Sequence, residues 1–492
     1  SEEWWRAESK VPMRGWAMQI SENGTMKPFA AGLRSPAGLN FIDDKFYYTE
    51  NQGDWVGSGG LWNVEKGDFM GHPASLVWTD RKDSPLKLKS ETFYAKMDER
   101  RLKDANGRYI KPENRVNETF KTLIDAKKDF PELKLPSVWL PYGILGVSTS
   151  EPVKIPENTF GPFAGQILVG DQGMSIISRI FMETVDGVEQ GAAFMFRKGF
   201  RSGVLRMSWG DDGSLFVGET NRGWGSAGDA NEGLERLVYN NKMPFEMKAV
   251  RAMPDGFEIE FTKPVDRKSA EDLASYSVES FIYKYHSVYG SPPVNNETLK
   301  ISGVKVSADG MKARLIVQNL RPYYIHTITL DGVRDKEAFY SLIHPTAYYT
   351  LNKIPTGAKL SMAEVSTRNS EAQPAKATPA VKTPSKTTKK PVVKPVATKA
   401  PAVAAQAPTY KQVEGLLTKN TCLACHNTTK KQIGPSFTEI AKRKYSDLKI
   451  YQLIHNPQPQ NWPGYATEMP PMPQVTKADA LKIAAWINSL NK

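Results

Sequence analysis

Residues 363–407 cannot fold into a compact core, and they divide the chain. The stretch reads AEVSTRNSEAQPAKATPAVKTPSKTTKKPVVKPVATKAPAVAAQA, in which Ala, Pro, Lys, Thr and Val dominate without any apolar period. Such a composition buries too little apolar surface to offset the entropy lost on ordering. As a flexible coil its ends would lie roughly 35–40 Å apart, and its prolines extend it further. We therefore predict a linker over 355–407, with separately folded parts before and after it.

The part directly before the linker, residues 242–354, has the pattern of a β-sandwich. FEMKAVRAMPDGFEIEFTKPVD alternates apolar and polar residues around a Pro-Asp-Gly turn, and MKARLIVQNL and YYIHTITLDGV alternate in the same way. About seven short strands in this length are typical of an immunoglobulin-like or fibronectin-like sandwich. The stretch contains no cysteine, which excludes the disulfide-bonded antibody type.

Residues 1–241 contain repeated strand pairs. GLRSPAGLNFIDDKFYYTENQGDW at 32–55 and GVLRMSWGDDGSLFVGETNRGWG at 203–225 each run from Leu-Arg through a strand, an acidic turn and a second strand that ends in Thr and Glu. GQILVGDQGMSIISRIFM at 165–182 is a shorter third copy. Antiparallel repeats of about 40–45 residues predict propeller blades. Residues 80–140 read as a long charged insertion, so we expect a partial propeller whose first blades lie upstream or come from another chain.

All the cysteine chemistry of the chain lies in one short box after the linker. Cys422 and Cys425 are the two cysteines, and His426 follows directly in the sequence CLACH. A redox dithiol would need a βαβ setting, and a zinc site would need two further ligands at similar spacing. The third interpretation is covalent attachment of haem through two thioethers, with the adjacent histidine as the proximal iron ligand.

The residues downstream of this box favour the haem interpretation. An electron-transfer haem needs a second, soft axial ligand, typically Met, and NWPGYATEMPPMPQV at 461–475 offers Met469 and Met472. Both methionines could instead fill gaps in a core. His455, late in a helical pattern, is a rival ligand or a surface residue. Helical patterns over 410–420, 435–456 and 476–492 surround these candidates, with Trp486 expected in the core.

Residues 410–492 resemble the small bacterial class I cytochromes c along their whole length. The matching stretches are CLACH, IGPSF, the Trp-Gly pair of NWPG, MPP and AAWINSL. We therefore expect an all-α cytochrome c domain over 408–492. The resemblance implies that Met469 is the sixth iron ligand, with Met472 as the alternative. It also implies that Pro435 packs against the haem on the histidine side and that Trp462 reaches a haem propionate.

The positive charge of the chain is concentrated in its last quarter. The formal charge is +12, yet residues 363–407 hold 8 basic and 2 acidic side chains and residues 408–492 hold 11 and 5. No basic stripe interleaved with aromatic residues supports nucleic-acid binding. We expect instead an acidic redox partner protein. The lysines expected to meet it are Lys419, Lys430, Lys431, Lys442, Lys444, Lys477 and Lys482.

The resemblance to cytochromes c also implies a compartment. Haem c is attached outside the cytoplasm, so a periplasmic or cell-surface protein is expected. The sequence has no apolar run of about 18 residues, which predicts no transmembrane helix. The first residues, SEEWWRAESK, lack the features of a secretory signal, as expected of a mature or truncated chain.

Residues 1–240 resemble the later blades of glucose/sorbosone dehydrogenase-like propellers. Such propellers occur fused to haem-binding cytochrome modules in large proteins of planctomycetes, verrucomicrobia and bacteroidetes. The matching stretches include RSPAGL, TENQGDW, KGDFMGHP, GDQGMSIISRI and GLERLVY, and the sandwich residues YKYHSVYGSP belong to the same architecture. The resemblance implies oxidation of a sugar or alcohol with pyrroloquinoline quinone and calcium.

Each residue implied for that chemistry also has a structural interpretation. His72 is the candidate general base, or a structural histidine in a turn. The candidate quinone-binding residues, which could equally be struts between strands, are Arg201, Arg206 and Arg222. The candidate calcium ligands, two of which also cap turns readily, are Asp54, Asn51 and Glu219.

Two functions follow from these expectations. In the first, a tethered c-type cytochrome accepts electrons from a propeller that oxidises a sugar or alcohol and passes them to a partner. In the second, propeller and sandwich form a carbohydrate-binding or assembly scaffold without catalysis, and the haem is the only redox centre. Both share the haem and differ in whether residues 1–240 hold a quinone.

Overall fold

The structure is a computed structural model, and it divides into two compact units, Ser1–Lys376 and Ala377–Lys492. It describes residues 11–115, 118–223, 225–370, 408–420, 422–455, 457–458, 461–462, 465, 469, 472, 475 and 477–490. At positions 419, 424, 448, 455, 477 and 478 it describes the backbone alone. The predicted linker from 371 onward, and residues 1–10, lie outside the described residues.

The first unit begins with a hairpin and a four-stranded antiparallel sheet of order β3-β4-β5-β8. The elements are β1 (Trp16–Ile20), β2 (Met26–Ala31), β3 (Gly38–Ile42), β4 (Lys45–Glu50), β5 (Gly59–Asn63), α1 (Ser90–Tyr94), β6 (Leu102–Lys103), β7 (Tyr109–Ile110), α2 (Leu123–Asp129) and β8 (Val138–Leu140). The predicted insertion over 80–140 is therefore partly regular. The last residues of this insertion form β8, which pairs with β5 and so belongs to the first four-stranded sheet.

Two further antiparallel sheets follow along the chain. Their strands are β9 (Thr149–Lys154), β10 (Ile167–Asp171), β11 (Ile176–Val185), β12 (Val188–Lys198), β13 (Val204–Trp209), β14 (Leu215–Thr220) and β15 (Glu232–Leu237). The first strands of the three sheets are neighbours, with β9 between β3 and β13. The three repeated stretches of the sequence fall on β3–β4, β10–β11 and β13–β14. Apolar clusters fill the two gaps between successive sheets, which is the packing of blades in the predicted partial propeller.

The sandwich is formed by two four-stranded layers around one apolar core. Its strands are β16 (Met247–Met253), β17 (Gly256–Phe261), β18 (Ser277–Ile282), β19 (Val294–Leu299), β20 (Ile301–Val306), β21 (Lys312–Val317), β22 (Tyr324–Thr329) and β23 (Thr346–Leu351), with the short helix α3 (Arg267–Ala270). One layer has the order β16-β17-β21-β20. The other layer has the order β19-β18-β22-β23. Its strand β23 pairs with β12, so this layer and the second blade (β9–β12) form one eight-stranded sheet.

Arg179 on β11 connects this blade to the sandwich from inside the core. Its side chain is 1% exposed, and its guanidinium donates to the carbonyls of Met247 at 2.7 Å and Lys248 at 3.1 Å. The guanidinium carbon lies 4.1 and 4.2 Å from the ring centroids of Phe163 and Phe194. Burial lowers the pKa of Arg179 to about 9, so the group stays charged at neutral pH. A buried charge of this kind depends on its partners.

Arg179→Met is therefore expected to destabilise the first unit by about 3 kcal/mol, because it takes the guanidinium donor away from the buried carbonyl of Met247. The carbonyl of Lys248 also loses this bond, although it still accepts from Nε2 of Gln166 at 2.8 Å. A thermal unfolding scan should show the midpoint of that unit lowered by several degrees. Arg222→Met is the control, since the Arg222 side chain is exposed, and it should change stability by about 0.5 kcal/mol or less. Equal effects of the two changes would contradict the role given to Arg179.

The second unit is helical, as predicted. Its helices are α4 (Tyr410–Lys419), α5 (Cys422–Cys425), α6 (Phe437–Lys442), α7 (Asp447–His455) and α8 (Lys477–Ser489). They enclose one apolar core that includes Val413, Ile450, Ile483 and the buried ring of Trp486, as expected for that tryptophan. Of the helices within the described residues, none is long and apolar enough to cross a lipid bilayer.

Candidate haem centre

The cysteine box forms a single helical turn, α5. The backbone N–H of His426 donates to the carbonyl of Cys422 at 2.9 Å, which continues the turn beyond Cys425. Residues three apart on a helix lie on the same face, so the turn brings both thiols to one side. The carbonyl of Cys425 accepts from the N–H of Gly434 at 2.7 Å, which folds the following loop back beside the histidine.

His426 is held in one tautomer by this loop. The side chain is 8% exposed, and Nδ1 lies 2.7 Å from the carbonyl oxygen of Pro435. A carbonyl can only accept, so Nδ1 carries the proton and Nε2 keeps its lone pair. Burial lowers the pKa of the His426 imidazole, which favours the neutral ring. A neutral histidine whose second nitrogen donates to a carbonyl is the usual form of a metal-ligating histidine.

Gly434 lets the loop approach the imidazole closely. A Cβ at this position would lie 2.8 Å from Cε1 and 3.0 Å from Nδ1 of His426. Real Cβ atoms do not make such contacts, so any larger residue must push the ring or the loop aside. Glycine is therefore needed here for space, and the hydrogen bond from His426 to Pro435 depends on it.

Gly434→Ala should displace the imidazole and weaken its bond to iron, which the visible spectrum and the thermal midpoint of the haem-bearing protein would report. Gly415→Ala is the matched control: no atom lies within 4 Å of the added methyl group, and the site is inside helix α4. That change should stabilise the helix by up to about 1 kcal/mol. An unaltered spectrum in Gly434→Ala would show that the contact does not constrain the ring.

The two thiols are only partly exposed and are not poised as thiolates. Burial raises the pKa of Cys422 to about 11 and also raises the pKa of Cys425. A catalytic dithiol lowers the pKa of its reactive cysteine, and a structural zinc site holds thiolates with further ligands. Among the described residues, no group of three or more His, Cys, Asp or Glu side chains is placed to hold a metal ion. The thiols therefore fit attachment to a vinyl group better than either alternative.

Both methionine candidates lie against the core of this unit. Met469 and Met472 are partly buried and contact the same apolar cluster as Cys422 and Leu423. The N–H of Met472 donates to the carbonyl of Ile454 at 3.0 Å, which ties it to the end of α7. The positions of Met469 and Met472 are therefore compatible with either one as the sixth iron ligand. The preference for Met469 stays a prediction. The side chain of His455, the rival ligand, is outside the described residues.

The turn carries two thiols, the imidazole is neutral, and its Nε2 has no bonding partner among the described residues. Together with the two thioethers on the same apolar cluster as Cys422, these groups form a donor set that fits a c-type haem. Pro435, expected to pack on the histidine side, is buried and supplies the carbonyl that orients His426. The ring of Trp462 lies under the guanidinium of Arg443 at 4.5 Å. Its contact with a haem propionate stays a prediction.

Some residues of this centre were not anticipated from the sequence. Gly434 and Arg443 act through contacts between separate loops, for which one sequence carries no pattern. The role of Glu439 could have been predicted from the Ser-x-x-Glu pattern of a capping box. Ser436 and Glu439 form such a box at the start of α6, and each side chain bonds to the backbone of the other residue. The hydroxyl of Tyr465 donates to that carboxylate at 3.0 Å, a contact the sequence does not predict.

The candidate base His72 of the first unit is buried. It is 5% exposed, and its backbone N–H donates to the carbonyl of Gly32 at 3.0 Å. Burial, followed by the charge of Arg34, lowers the pKa of His72 to about 3, so the ring is neutral at physiological pH. Arg34 was not singled out from the sequence, although it directly precedes a turn in the first repeat.

The three candidate quinone-binding arginines are all exposed at the side chain. Arg206 donates to the carbonyl of Ala37 at 3.0 Å, which joins the third blade to the first. Arg201 forms a loose ion pair with Asp229 at 3.9 Å. The two contacts lie on different parts of the unit, since Ala37 comes just before β3 and Asp229 just before β15. Their placement therefore matches the interpretation as struts more closely than a shared binding site.

The calcium candidates come from two different sheets, with Asn51 and Asp54 after β4 and Glu219 on β14. Asp54 and Glu219 are buried, and Asn51 is half-buried. Glu219 accepts from the N–H of Ser202 at 2.6 Å, and its pKa is raised by burial and then by the charge of Glu235. The calcium assignment of these oxygens stays a prediction.

Comparison with known proteins defines the class of the second unit. A family model described as Cytochrome c matches residues 410–491. Cytochrome c-552 of Hydrogenobacter thermophilus is 30% identical over 78 residues, which are 16% of this chain and 80% of that protein. The chain belongs to the cytochrome c family through this unit. The predicted electron-transfer domain, with haem c at the two cysteines of the CxxC motif, is confirmed.

The first unit has a weaker counterpart among solved structures. An oxidoreductase described as a glucose dehydrogenase, from Thermus thermophilus, aligns at 15% identity with a TM-score of 0.24. The alignment covers 43% of this chain and 46% of that one, so this chain spans less than half of that protein's length. The predicted substrate, quinone, calcium and dehydrogenase activity of this unit stay predictions.

Proposed function

We propose that this protein is an extracytoplasmic electron-transfer protein whose haem c accepts electrons and delivers them to an acidic redox partner. The observation that carries the proposal is the arrangement of His426, which directly follows the two cysteines of α5 and whose Nδ1 is bonded to Pro435, so that Nε2 keeps its lone pair. Bound haem c supplies a one-electron redox couple. Periplasmic or cell-surface placement follows from the chemistry of haem c attachment and belongs to the same proposal.

The roles of the chain's own residues follow from their positions. Cys422 and Cys425 tether the macrocycle, and His426 gives the proximal nitrogen. Met469, or Met472 in its place, gives a soft sulfur that favours the reduced state and raises the potential. The apolar cluster of the second unit, which both methionines and Leu423 contact, limits the access of water to this side of the centre.

A basic surface near the centre supports the acidic partner. Between positions 430 and 444 lie five exposed cationic side chains, and Glu439, the one acidic side chain there, is already bonded to Ser436 and Tyr465. A local excess of one sign steers a partner of the opposite sign at a distance comparable to the Debye length. The exposed cations are Lys430, Lys431, Lys442, Arg443 and Lys444. The side chains of Lys419 and Lys477 are outside the described residues.

Charge reversal tests this surface. Lys430→Glu with Lys442→Glu should slow oxidation of the ferrous protein by ferricyanide roughly three- to tenfold at low ionic strength, because the anion loses its attraction. The difference should shrink as salt is added. Stopped-flow absorbance measures the rate. Lys336→Glu, an exposed change in the first unit, is the control, and an equal loss of rate in the control would contradict a local docking surface.

A second candidate function adds oxidation of a sugar or alcohol by the first unit, with pyrroloquinoline quinone and calcium. Two observations favour it: three blade-like sheets packed side by side, and a buried, neutral His72 beside the charge of Arg34. The exposure of the three candidate arginines weighs against it. In that case the electrons released by substrate oxidation would pass to the haem of the same chain.

This second candidate is tested by haem reduction. The oxidised full-length protein is given calcium and pyrroloquinoline quinone and then a panel of aldoses, ketoses and alcohols, while the reduced haem band is followed. Reduction that needs both substrate and quinone would establish the dehydrogenase. No reduction by any substrate, with dithionite still reducing the haem, would favour the non-catalytic scaffold and leave electron transfer as the function.

A further inference from the structure

The first residues of the loop 461–475, which carries both methionine candidates, bind to side chains in and beside helix α6. The guanidinium of Arg443, at the end of α6, donates to the carbonyl of Asn461 at 2.9 Å and stacks on the ring of Trp462. The hydroxyl of Tyr465 donates to Glu439 on α6 at 3.0 Å. The ammonium group of Lys431 lies 4.5 Å from the Tyr465 ring centroid. We call Lys431, Glu439, Arg443, Trp462 and Tyr465 the loop clamp.

The far end of the same loop is fastened to a different helix. The N–H of Met472 donates to the carbonyl of Ile454 on α7, and the N–H of Val475 donates back to the carbonyl of Met472. Val475 is buried in the core. Met469 lies four residues after Tyr465 and three before Met472, so the preferred ligand sits between two fixed points.

The loop clamp lies outside the apolar core. None of its five residues belongs to the cluster around Trp486 or to the partly buried side chains packed on it, whereas Met469 and Met472 do. Arg443 and Lys431 are exposed, and the other three members are half-buried. The contacts therefore add little to the packing of the unit, and their geometric effect is to fix where the loop begins.

We propose that the loop clamp is a positioning device that holds the sixth iron ligand in place, which rests on the methionine ligation in the proposed function. Fixing both ends of a short loop removes conformations in which the thioether points away from the iron. Met–iron bonding is the weaker of the two axial bonds of such a centre, so a small gain in loop freedom raises the fraction of molecules that lose it. The clamp residues do not touch the iron or its ligands.

The test removes contacts of the loop clamp and leaves the side chains of the apolar core unchanged. Tyr465→Phe deletes one hydroxyl, and Arg443→Met deletes both the stacking on Trp462 and the bond to Asn461. Each change should raise the fraction of ferric protein without methionine ligation roughly two- to tenfold at a given alkaline pH. The double variant should show a larger rise than either single change. The readout is the Met–iron charge-transfer band, followed as pH is raised.

Matched controls separate the clamp from general effects. Tyr410→Phe removes a hydroxyl from a tyrosine that contacts Trp486 and that makes no contact with the described residues of the loop. Lys444→Met removes the exposed cation next to Arg443. Both should leave the pH midpoint of the band unchanged. Covalent haem content on denaturing gels, and the thermal midpoint of the unit, should stay close to wild type in all four single variants.

Three results would overturn the proposal. The first is a pH midpoint in the Tyr465→Phe/Arg443→Met double variant equal to that of wild type. The second is an equal shift in the controls, which would indicate a general loss of stability. The third is a wild-type protein that has covalent haem but no Met–iron band at any pH. That last result would leave the haem attachment standing and remove the methionine ligation on which the clamp depends.

Discussion

Replacing Cys422 and Cys425 with serine together is expected to abolish covalent haem completely. A thioether forms by addition of a thiol across a haem vinyl group, and a serine hydroxyl does not make that bond under the same conditions. Both thiols lie on one helical turn beside His426, so either one alone can still hold the macrocycle. Each single variant should therefore keep covalent haem, with a shifted haemochrome spectrum because one vinyl group stays conjugated.

The measurement is haem staining of the denatured chain after extraction with acidic acetone. Wild type and both single variants should stain at the size of the full chain, and the double variant should not. Thr429→Ala, an exposed change in the following loop, is the control for expression and maturation. Covalent haem that survives extraction in the double variant would refute the attachment site.

Met469→Leu is expected to remove the Met–iron charge-transfer band and to lower the reduction potential. Leucine keeps most of the volume that Met469 contributes to the apolar cluster, so the fold should tolerate it at a cost of less than about 1.5 kcal/mol. It offers no sulfur to the iron, and loss of the soft ligand disfavours the ferrous state. Met472→Leu is the matched control, two prolines away on the same loop.

The two methionines give opposite outcomes in this experiment. If Met469 is the ligand, Met472→Leu should keep both the band and the potential. If Met472→Leu removes the band while Met469→Leu keeps it, the assignment is reversed. Retention of the band in both single variants would show that neither is required. The ferric absorption spectrum and a potentiometric titration distinguish these results.

The parts of the molecule that the sequence predicted well depend on local spacing. The box from Cys422 to His426 carries its geometry in five residues, since a three-residue step on a helical turn sets both thiols on one face. The repeated strand pairs were predicted because each pair and its acidic turn lie together in the chain. The same holds for the alternating pattern of the sandwich.

The parts that the sequence did not predict depend on pairing between distant strands. Strand β8, at the end of the charged insertion, pairs with β5 of the first sheet, and β12 pairs with β23 across about 150 residues of chain. Strand pairing at such separation leaves no periodic mark in one sequence. We expected a domain boundary at position 241 because the sequence pattern changes there. In the structure, strand pairing continues from the second blade into the sandwich through β12 and β23.

The candidate site of the first unit was chosen by residue type alone, and it stays a prediction. Arginine, histidine and carboxylate side chains were identified by what they could bind, yet Arg206 is used to join two blades and Glu219 to bind Ser202. In the haem centre, by contrast, the site could be predicted because the five residues from Cys422 to His426 set their own geometry on one helical turn. Gly434 and Tyr465 were missed there because their partners come from other loops.

The cytochrome c domain is tested most directly by a spectroelectrochemical titration of the intact protein, purified from cells that mature cytochromes c, together with its mass. We expect a chain heavier by one haem and a single reversible one-electron transition, with a Met–iron band in the oxidised form. A chain of unmodified mass, or a protein with no reversible transition, would contradict the claim that residues 408–492 form an electron-transferring cytochrome c.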